Sequence, residues 1–416
     1  FGGRGSTITE QNLKGAKSGF KAVEGVEFAY AFKWDMEKPK GMLIDGSQSI
    51  ALGALAGDCR FASYYPMSPA TSIMQHLVSY QDRFPLIVEQ AEDEIAGICT
   101  SIGASFAGDL AVTTTSGPGL ALKGEAIGLA VMTELPLVIV NVQRGGPSTG
   151  LPTKPEQSDL MQALYGRNGE SPVVVVAAST PSDCFHYAFE SAKIALEHMT
   201  PVILLTDGFI ANGSEPWKIP VMSEYPAIKA PIMKEGVEDW QPYARDAERL
   251  ARTWAIPGTK GYEHRIGGLE KDELKGSVSH DPVNHQKMVD IREEKVQRVS
   301  RFIPKLKVEG KESGKLLVVG WGGTYGHLAT AVKQMSDKGQ SISLAHFNYI
   351  KPLPSNVKEV FENFDKIVVC ENNMGQFADY LRMTNPDFKY LQYNKVQGLP
   401  FTTIELENHF EKLLED

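Results

Sequence analysis

The sequence predicts an α/β protein: a parallel-sheet domain followed by a smaller α/β domain. Strand-length runs rich in Val and Ile recur along it, helical patterns alternate with those runs, and the alternation resumes after an interval in which periodicity fades. The strands expected in the first domain are Arg60–Tyr64, Leu86–Glu89, Leu110–Thr115, Leu135–Val142, Val173–Ala177 and Val202–Thr206. Between the second and third, Ile95, Ile98, Cys99, Ile102 and Phe106 fall at helical spacing, and the start of that helix places Glu92 in its first turn. Thr180 followed by Pro181 reads as an N-cap and a first helical residue. From about Pro220 to Gly314, prolines, glycines and charges dominate, as in a connector with local helix near Val289–Ser300. The second alternation comprises the strand Leu316–Val319, a glycine turn, the helix Thr324–Met335, and the strands Ser341–His346 and Lys366–Cys370. The expected organisation is a lead-in at 1–40, a parallel-sheet domain at 41–220, a connector at 221–313 and a smaller domain at 314–416.

Composition bounds the function. A chain of 416 residues at 42% hydrophobic exceeds one compact domain. With 42 basic against 51 acidic residues, a net of -9, and no long Lys/Arg run, nucleic acid is not an expected partner. Apolar stretches such as Pro172–Ala178 and Leu135–Val142 stop well short of the roughly 20 residues a spanning helix needs. Cys59, Cys99, Cys184 and Cys370 lack the close spacing of a zinc, iron–sulfur or dithiol site and read as reduced thiols of a cytoplasmic protein. The start at Phe1-Gly2-Gly3-Arg4-Gly5-Ser6, without a signal-peptide core, reads as a flexible lead-in within a longer polypeptide.

Two loops carry the chemistry, Tyr65-Pro66-Met67-Ser68-Pro69 and Arg144-Gly145-Gly146-Pro147-Ser148-Thr149-Gly150, with Glu92 between them in sequence. Each follows an expected strand, and ligands of parallel sheets collect beyond the carboxyl ends of strands. Arg144 would project a guanidinium from a strand tip, beside glycines that let the backbone approach a carboxylate, with Thr149 and Thr153 as further donors. The plain alternative is an ordinary strand-to-helix loop with an exposed arginine. Glu92 stands among Glu89, Asp93 and Glu94, and acids in a first helical turn stabilise the dipole without further function. The run Leu86-Ile87-Val88 offers an apolar floor on which a buried Glu92 would have a raised pKa and could share a proton with a heterocycle.

Four ordered motifs, Tyr64-Tyr65-Pro66-Met67-Ser68-Pro69-Ala70-Thr71, Gln90-Ala91-Glu92-Asp93-Glu94-Ile95-Ala96, Thr114-Thr115-Ser116-Gly117-Pro118-Gly119 and Val142 to Gly150, resemble the alpha subunit of 2-oxoacid:ferredoxin oxidoreductases, most of all the 2-oxoglutarate type. The likeness extends through Glu371-Asn372-Asn373-Met374-Gly375-Gln376 and Asn394 to Phe401, covering about residues 40 to 416. It implies a pyrimidine-type thiamine diphosphate domain and a transketolase C-terminal-like domain. By the same resemblance Glu92 is the catalytic acid on the cofactor's aminopyrimidine, with Tyr65 and Pro66 beside it, while Arg144 binds the substrate carboxylate and Ser68, Thr149 and Thr153 line the substrate side. The implied reaction is oxidative decarboxylation of 2-oxoglutarate with coenzyme A to succinyl-CoA, carbon dioxide and reduced ferredoxin. Two positions depart from the family pattern: Met67-Ser68 stands where Ile-Thr is common, and Lys271 where a histidine is common.

No Gly-Asp-Gly motif for a diphosphate and magnesium occurs here, and no cysteine cluster. In the family both belong to a beta subunit, so the resemblance implies a hetero-oligomer whose partner holds magnesium and the iron–sulfur cluster and shares the thiamine diphosphate. No metal-binding residue is expected in this chain. Pyruvate or branched 2-oxoacids are alternative substrates; a non-redox thiamine enzyme subunit and a non-catalytic assembly subunit are rival classes. Gly320-Trp321-Gly322-Gly323-Thr324-Tyr325-Gly326 lacks dinucleotide spacing and reads as a packing turn. His264, His280, Asp281 and His285 read as solvated connector residues.

Overall fold

The computed structural model describes residues 5–26, 41–234 and 236–415. Helix α1 (Ser6–Ala22) belongs to one unit, residues 1–40, and residues 41–416 form a second. Of the lead-in expected at 1–40, residues 1–4 and 27–40 lie outside the described residues, and Ser6–Ala22 form α1. The second unit runs β1 (Met42–Asp45), α2 (Gly46–Ala56), β2 (Cys59–Tyr64), α3 (Thr71–Tyr80), β3 (Ile87–Gln90), α4 (Glu94–Ala107), β4 (Leu110–Thr115), α5 (Gly117–Leu122), α6 (Gly124–Thr133), β5 (Leu137–Gln143), α7 (Leu160–Tyr165), β6 (Val174–Ala177), α8 (Asp183–His198), β7 (Pro201–Asp207), α9 (Gly208–Asn212) and β8 (Ser214–Trp217). Beyond the connector come α10 (Pro282–Arg298), β9 (Val308–Glu309), β10 (Gly314–Trp321), α11 (Tyr325–Asp337), β11 (Ile342–Phe347), β12 (Tyr349–Lys351), α12 (Val357–Glu362), β13 (Phe364–Glu371), α13 (Gln376–Thr384), β14 (Tyr390–Asn394) and α14 (Thr403–Glu415).

Strands β4, β5 and β7 are buried along their whole length, as β-branched runs covered on both faces should be. They sit inside a seven-stranded sheet of order β12-β6-β7-β5-β4-β2-β3, parallel except for β12. Successive residues alternate between two cores. Val138, Val140, Val202 and Leu204 face one, with α2, α3 and α8; Leu137, Ile139, Ile203 and Leu205 face the other. That second core also contains Leu317, Val319, Trp321 and Phe347 of a five-stranded sheet, β14-β13-β10-β11-β9, so the two sheets share one apolar layer. The outer face of the smaller sheet is covered by α11 and α14.

Three boundaries differ from expectation. Helix α8 starts at Asp183 rather than just after Thr180, because the Asp183 carboxylate turns back to accept from the Ser179 and Thr180 N–H groups at 3.0 and 2.9 Å. Helix α10 begins at Pro282, not near Val289: the Asp281 side chain accepts from Val283 N–H at 2.7 Å, and proline occupies the first helical position. The short strand β12 falls within the second alternation in sequence but pairs antiparallel with β6 of the first sheet.

The connector is anchored by buried charge. Glu134, at the carboxyl end of α6, pairs with Arg245 and Lys295. Arg252 donates to the Glu134 carbonyl at 3.2 Å, and Lys271 donates to the Met132 carbonyl at 2.8 Å. These cations meet carbonyls that a helix end leaves without intrahelical partners. Lys271 is buried within this cluster, where burial pushes its ammonium down to about 8.

Candidate active site

Strand register brings the motifs together. Tyr64 is aligned with both Gln90 and Thr114, Thr115 with Asn141, and Gln143 with Asp207. The segments that follow β3, β2, β4 and β5 therefore leave the sheet at one edge, the carboxyl end, where a parallel sheet presents ligands. The Met67 carbonyl closes the 65–69 turn by accepting from Ala70 and Thr71 N–H at 2.8 and 3.1 Å. Ala91 N–H donates to the Tyr64 carbonyl at 2.8 Å, so Glu92 leaves beside Tyr65 and Pro66.

Glycine permits the closest approach. A Cβ on Gly119 would lie 2.1 Å from Thr115 Oγ1 and 2.9 Å from Glu94 Cγ, with Met67 Cε at 3.3 Å. Three motifs thus touch at this residue. Gly119→Ala is expected to cost about 1–3 kcal/mol of stability, because the added methyl must push apart the elements that meet there. Thermal melts check this, and an unchanged midpoint would show that the loop relaxes freely.

Arg144 is 7% exposed; its Nη1 donates to the Ser68 carbonyl at 2.6 Å, tying the second loop to the first. Its Nε is buried without a hydrogen-bond partner among the described residues, as are Ser116 Oγ and Asn141 Oδ1. Arg144 lines a cavity of about 650 Å³ together with Pro118, Ser148, Glu156, Asp159 and Met374. Burial pushes the Asp159 carboxyl up, opposed by hydrogen bonds from Asn141 and Ser158 and by the Arg144 charge. Burial likewise raises Glu156, opposed by the Gly146 and Gly398 N–H groups.

The second sheet reaches into the same place. Asn373 Nδ2 donates to the Gln157 carbonyl at 2.9 Å, and Gln376 Nε2 to the Ser158 carbonyl at 2.9 Å. Glu371 is fully buried and accepts from Phe377 and Ala378 N–H at 2.8 and 3.1 Å and from Trp321 Nε1 at 3.1 Å, so it holds the turn into α13. The glycine turn after β10 is filled by protein: a Cβ on Gly323 would meet Asp207 Oδ2 at 2.1 Å, and one on Gly322 would meet Gln157 Nε2 at 3.0 Å.

The predicted site residues fall in two groups. Arg144 lines the cavity and holds Ser68 through its carbonyl, while Thr149 and Thr153 are exposed and lie outside the cavity lining. Glu92 is exposed and precedes the helix, whose cap is Asp93, accepting from Ala96 N–H at 2.7 Å; it does not occupy the first turn. Nor does it rest on an apolar floor: β3 is the sheet's edge strand, and Ile87 is 62% exposed. Sequence reasoning missed Asp159, Glu156 and Lys123. Acids in a Pro-rich loop and a lysine between glycines look like surface residues until the fold buries them. Among the described residues, no group of three or more His, Cys, Asp and Glu side chains could hold a metal ion. Asp281 caps α10, and His285 pairs with Glu270 at 2.8 Å. Among the described residues, no helix is long and apolar enough to cross a membrane.

The open parallel sheet of this α/β protein brings an acid-bearing segment, a hydroxyl-bearing turn and a buried guanidinium to the carboxyl ends of β3, β2 and β5. The family is specific: residues 52–280 match the pyruvate flavodoxin/ferredoxin oxidoreductase, thiamine diphosphate-binding family, and the chain belongs to it. It is similar to the 2-oxoglutarate oxidoreductase subunit KorA of Mycobacterium tuberculosis, at 46% identity over 96% of this chain and 62% of that relative's length. It is also similar to the 2-oxoglutarate synthase subunit KorA of Archaeoglobus fulgidus, at 34% identity over 80% of this chain and 88% of the relative. A solved structure of the 2-oxoglutarate:ferredoxin oxidoreductase from Magnetococcus marinus, with 2-oxoglutarate, coenzyme A and succinyl-CoA bound, matches with a TM-score of 0.93 at 31% identity, covering 100% of this chain and 73% of that one. A split-gene transketolase, at 12% identity and a TM-score of 0.50, shares the fold alone.

Proposed function

We propose that this chain is the alpha-type part of a 2-oxoglutarate:ferredoxin oxidoreductase, acting with a partner polypeptide that holds magnesium and an iron–sulfur cluster. The reaction is oxidative decarboxylation of 2-oxoglutarate with coenzyme A, giving succinyl-CoA, carbon dioxide and reduced ferredoxin. The observation that carries this reading is the contact of Arg144, which lines a 650 Å³ cavity, with the Ser68 turn, one strand away from the segment bearing Glu92. The residues present fit half of a thiamine diphosphate site. Glu92, an exposed acid beside Tyr65 and Pro66, suits a ring nitrogen, and no Gly-Asp-Gly motif is available for the diphosphate.

When bound, the cofactor supplies a nucleophilic carbon for the keto group and a sink for the electrons left by the departing carbon dioxide. Glu92 would hold a proton at the aminopyrimidine nitrogen. Arg144 would fix the carboxylate of the 2-oxoacid by charge-assisted hydrogen bonds, its partly desolvated position strengthening them. Ser68, Thr149 and Thr153 would line the substrate side, the two threonines from the exposed part of the loop.

The test is coenzyme A-dependent reduction of a viologen dye by the anaerobically purified assembly, with 2-oxoglutarate, pyruvate and a branched 2-oxoacid compared. Reduction chiefly by 2-oxoglutarate is the expected result; no reduction by any of them, in a preparation that retains the partner, would overturn the reading. Arg144→Ala is expected to raise the 2-oxoacid KM by about ten-fold or more with a smaller change in kcat, as loss of a substrate-carboxylate contact should.

A further inference from the structure

We propose that Lys123 is the positioning residue for Glu92: its buried ammonium holds the Glu94 carbonyl and so fixes the 91–93 segment that presents the Glu92 carboxylate. The inference rests on the reading of Glu92 given above. Lys123 stands between α5 and α6 and is 0% exposed. Its Nζ donates to the Glu94 carbonyl at 2.7 Å and to Thr113 Oγ1 at 3.3 Å. Gly97, one turn into α4, brings the helix over it, with a Cβ there lying 3.6 Å from Nζ and 3.4 Å from Tyr64 Cα. The ammonium therefore joins β4 to the start of α4, while Gly97 packs the same helix against Tyr64 of β2.

A buried ammonium is costly, and an apolar side chain of similar length would suit a dry junction better for stability alone. Burial pushes Lys123 down to about 8, against the opposing pull of Glu94, Cys99 and Asp93. Glu92 itself is exposed, so its direction must come from its backbone. That backbone is held on one side by Ala91 N–H to the Tyr64 carbonyl and on the other by the Asp93 cap and the Lys123 contact. The first two are local devices of a strand end and a helix start. Of these three contacts, that of Lys123 reaches the strand on the far side of β2.

The test uses the assembled enzyme. In Lys123→Met, amide hydrogen exchange in a peptide covering residues 90–98 should quicken about ten-fold with the rest of the chain unchanged, and the thermal midpoint should hold or rise. Turnover and hydrogen–deuterium exchange at the cofactor's reactive carbon should fall about ten-fold without a change in 2-oxoacid KM. Combined with Glu92→Gln, the Lys123 change should add no further loss, because both act through one carboxylate. Multiplying losses, or a lowered midpoint with faster exchange throughout, would overturn the positioning role. Glu92→Gln with wild-type turnover would instead remove the Glu92 reading and leave the exchange result standing. Should Lys123→Met fail to assemble, Thr113→Val removes one of the two acceptors and should give the same changes at about two-fold; no change in exchange at 90–98 would overturn the proposal.

Discussion

Replacing Glu92 by Gln in the assembled enzyme is expected to lower turnover by about 100-fold or more, the usual worth of a positioned acid. Gln keeps the size of the side chain and its hydrogen-bonding reach but cannot exchange a proton. Glu92 is exposed and caps nothing, the cap being Asp93, so the melting transition should stay within about 0.5 kcal/mol of wild type. The 2-oxoacid KM should move little, since Arg144 rather than Glu92 meets the substrate carboxylate in this reading. Steady-state assays beside thermal melts separate these quantities. A loss smaller than about ten-fold would assign the segment to structure instead.

The second large effect is on stability. Glu134→Gln should destabilise the chain by about 3–5 kcal/mol, because Arg245 would be left in a buried site without its counter-ion and Lys295 would lose the partner that holds its proton. Burial alone would push the Glu134 carboxyl up, but Lys295 and then Arg245 hold it well below the usual carboxylate range. A carboxyl lowered on folding adds stability above its unfolded value of about 4.3, and that stability is lost as pH falls through the folded value. Urea melts from about pH 5 down to about pH 2 should therefore show wild type losing this contribution toward the acid end, a loss absent from Glu134→Gln. Equal stability of the two at pH 7 would mean that the cluster tolerates an unpaired cation.

Much of the fold could be read from the chain because parallel strands buried on both faces leave unbroken apolar runs. Leu110–Thr115, expected as a strand, is β4 with the same limits, and the expected Leu135–Val142 differs from β5 by two residues at one end and one at the other. What escaped was set by partners distant in sequence. Tyr349–Lys351 is too short to show alternation and is a strand because β6 lies beside it. The pair β1 and β8 joins residues more than 160 positions apart, through partners such as Met42 and Trp217. Helix α10 carried its signal openly in Asp281-Pro282, but a charged face hid its length. At the site, the place of Arg144 at the end of a strand was legible, whereas Glu92 lies before the helix and exposed rather than in a buried first turn. Lys123 and Asp159 were not legible, since burial is a property of the neighbours a side chain acquires.

The antiparallel strand β12 bears on how such proteins can be recombined. It comes from the stretch that reads as the smaller domain yet completes the edge of the larger sheet beside β6. A fragment ending near residue 313 would expose the backbone donors and acceptors of β6, an invitation to pair with another chain. Chimeras joined at that point would have to preserve the Tyr349–Lys351 graft as well as the apolar layer between the sheets.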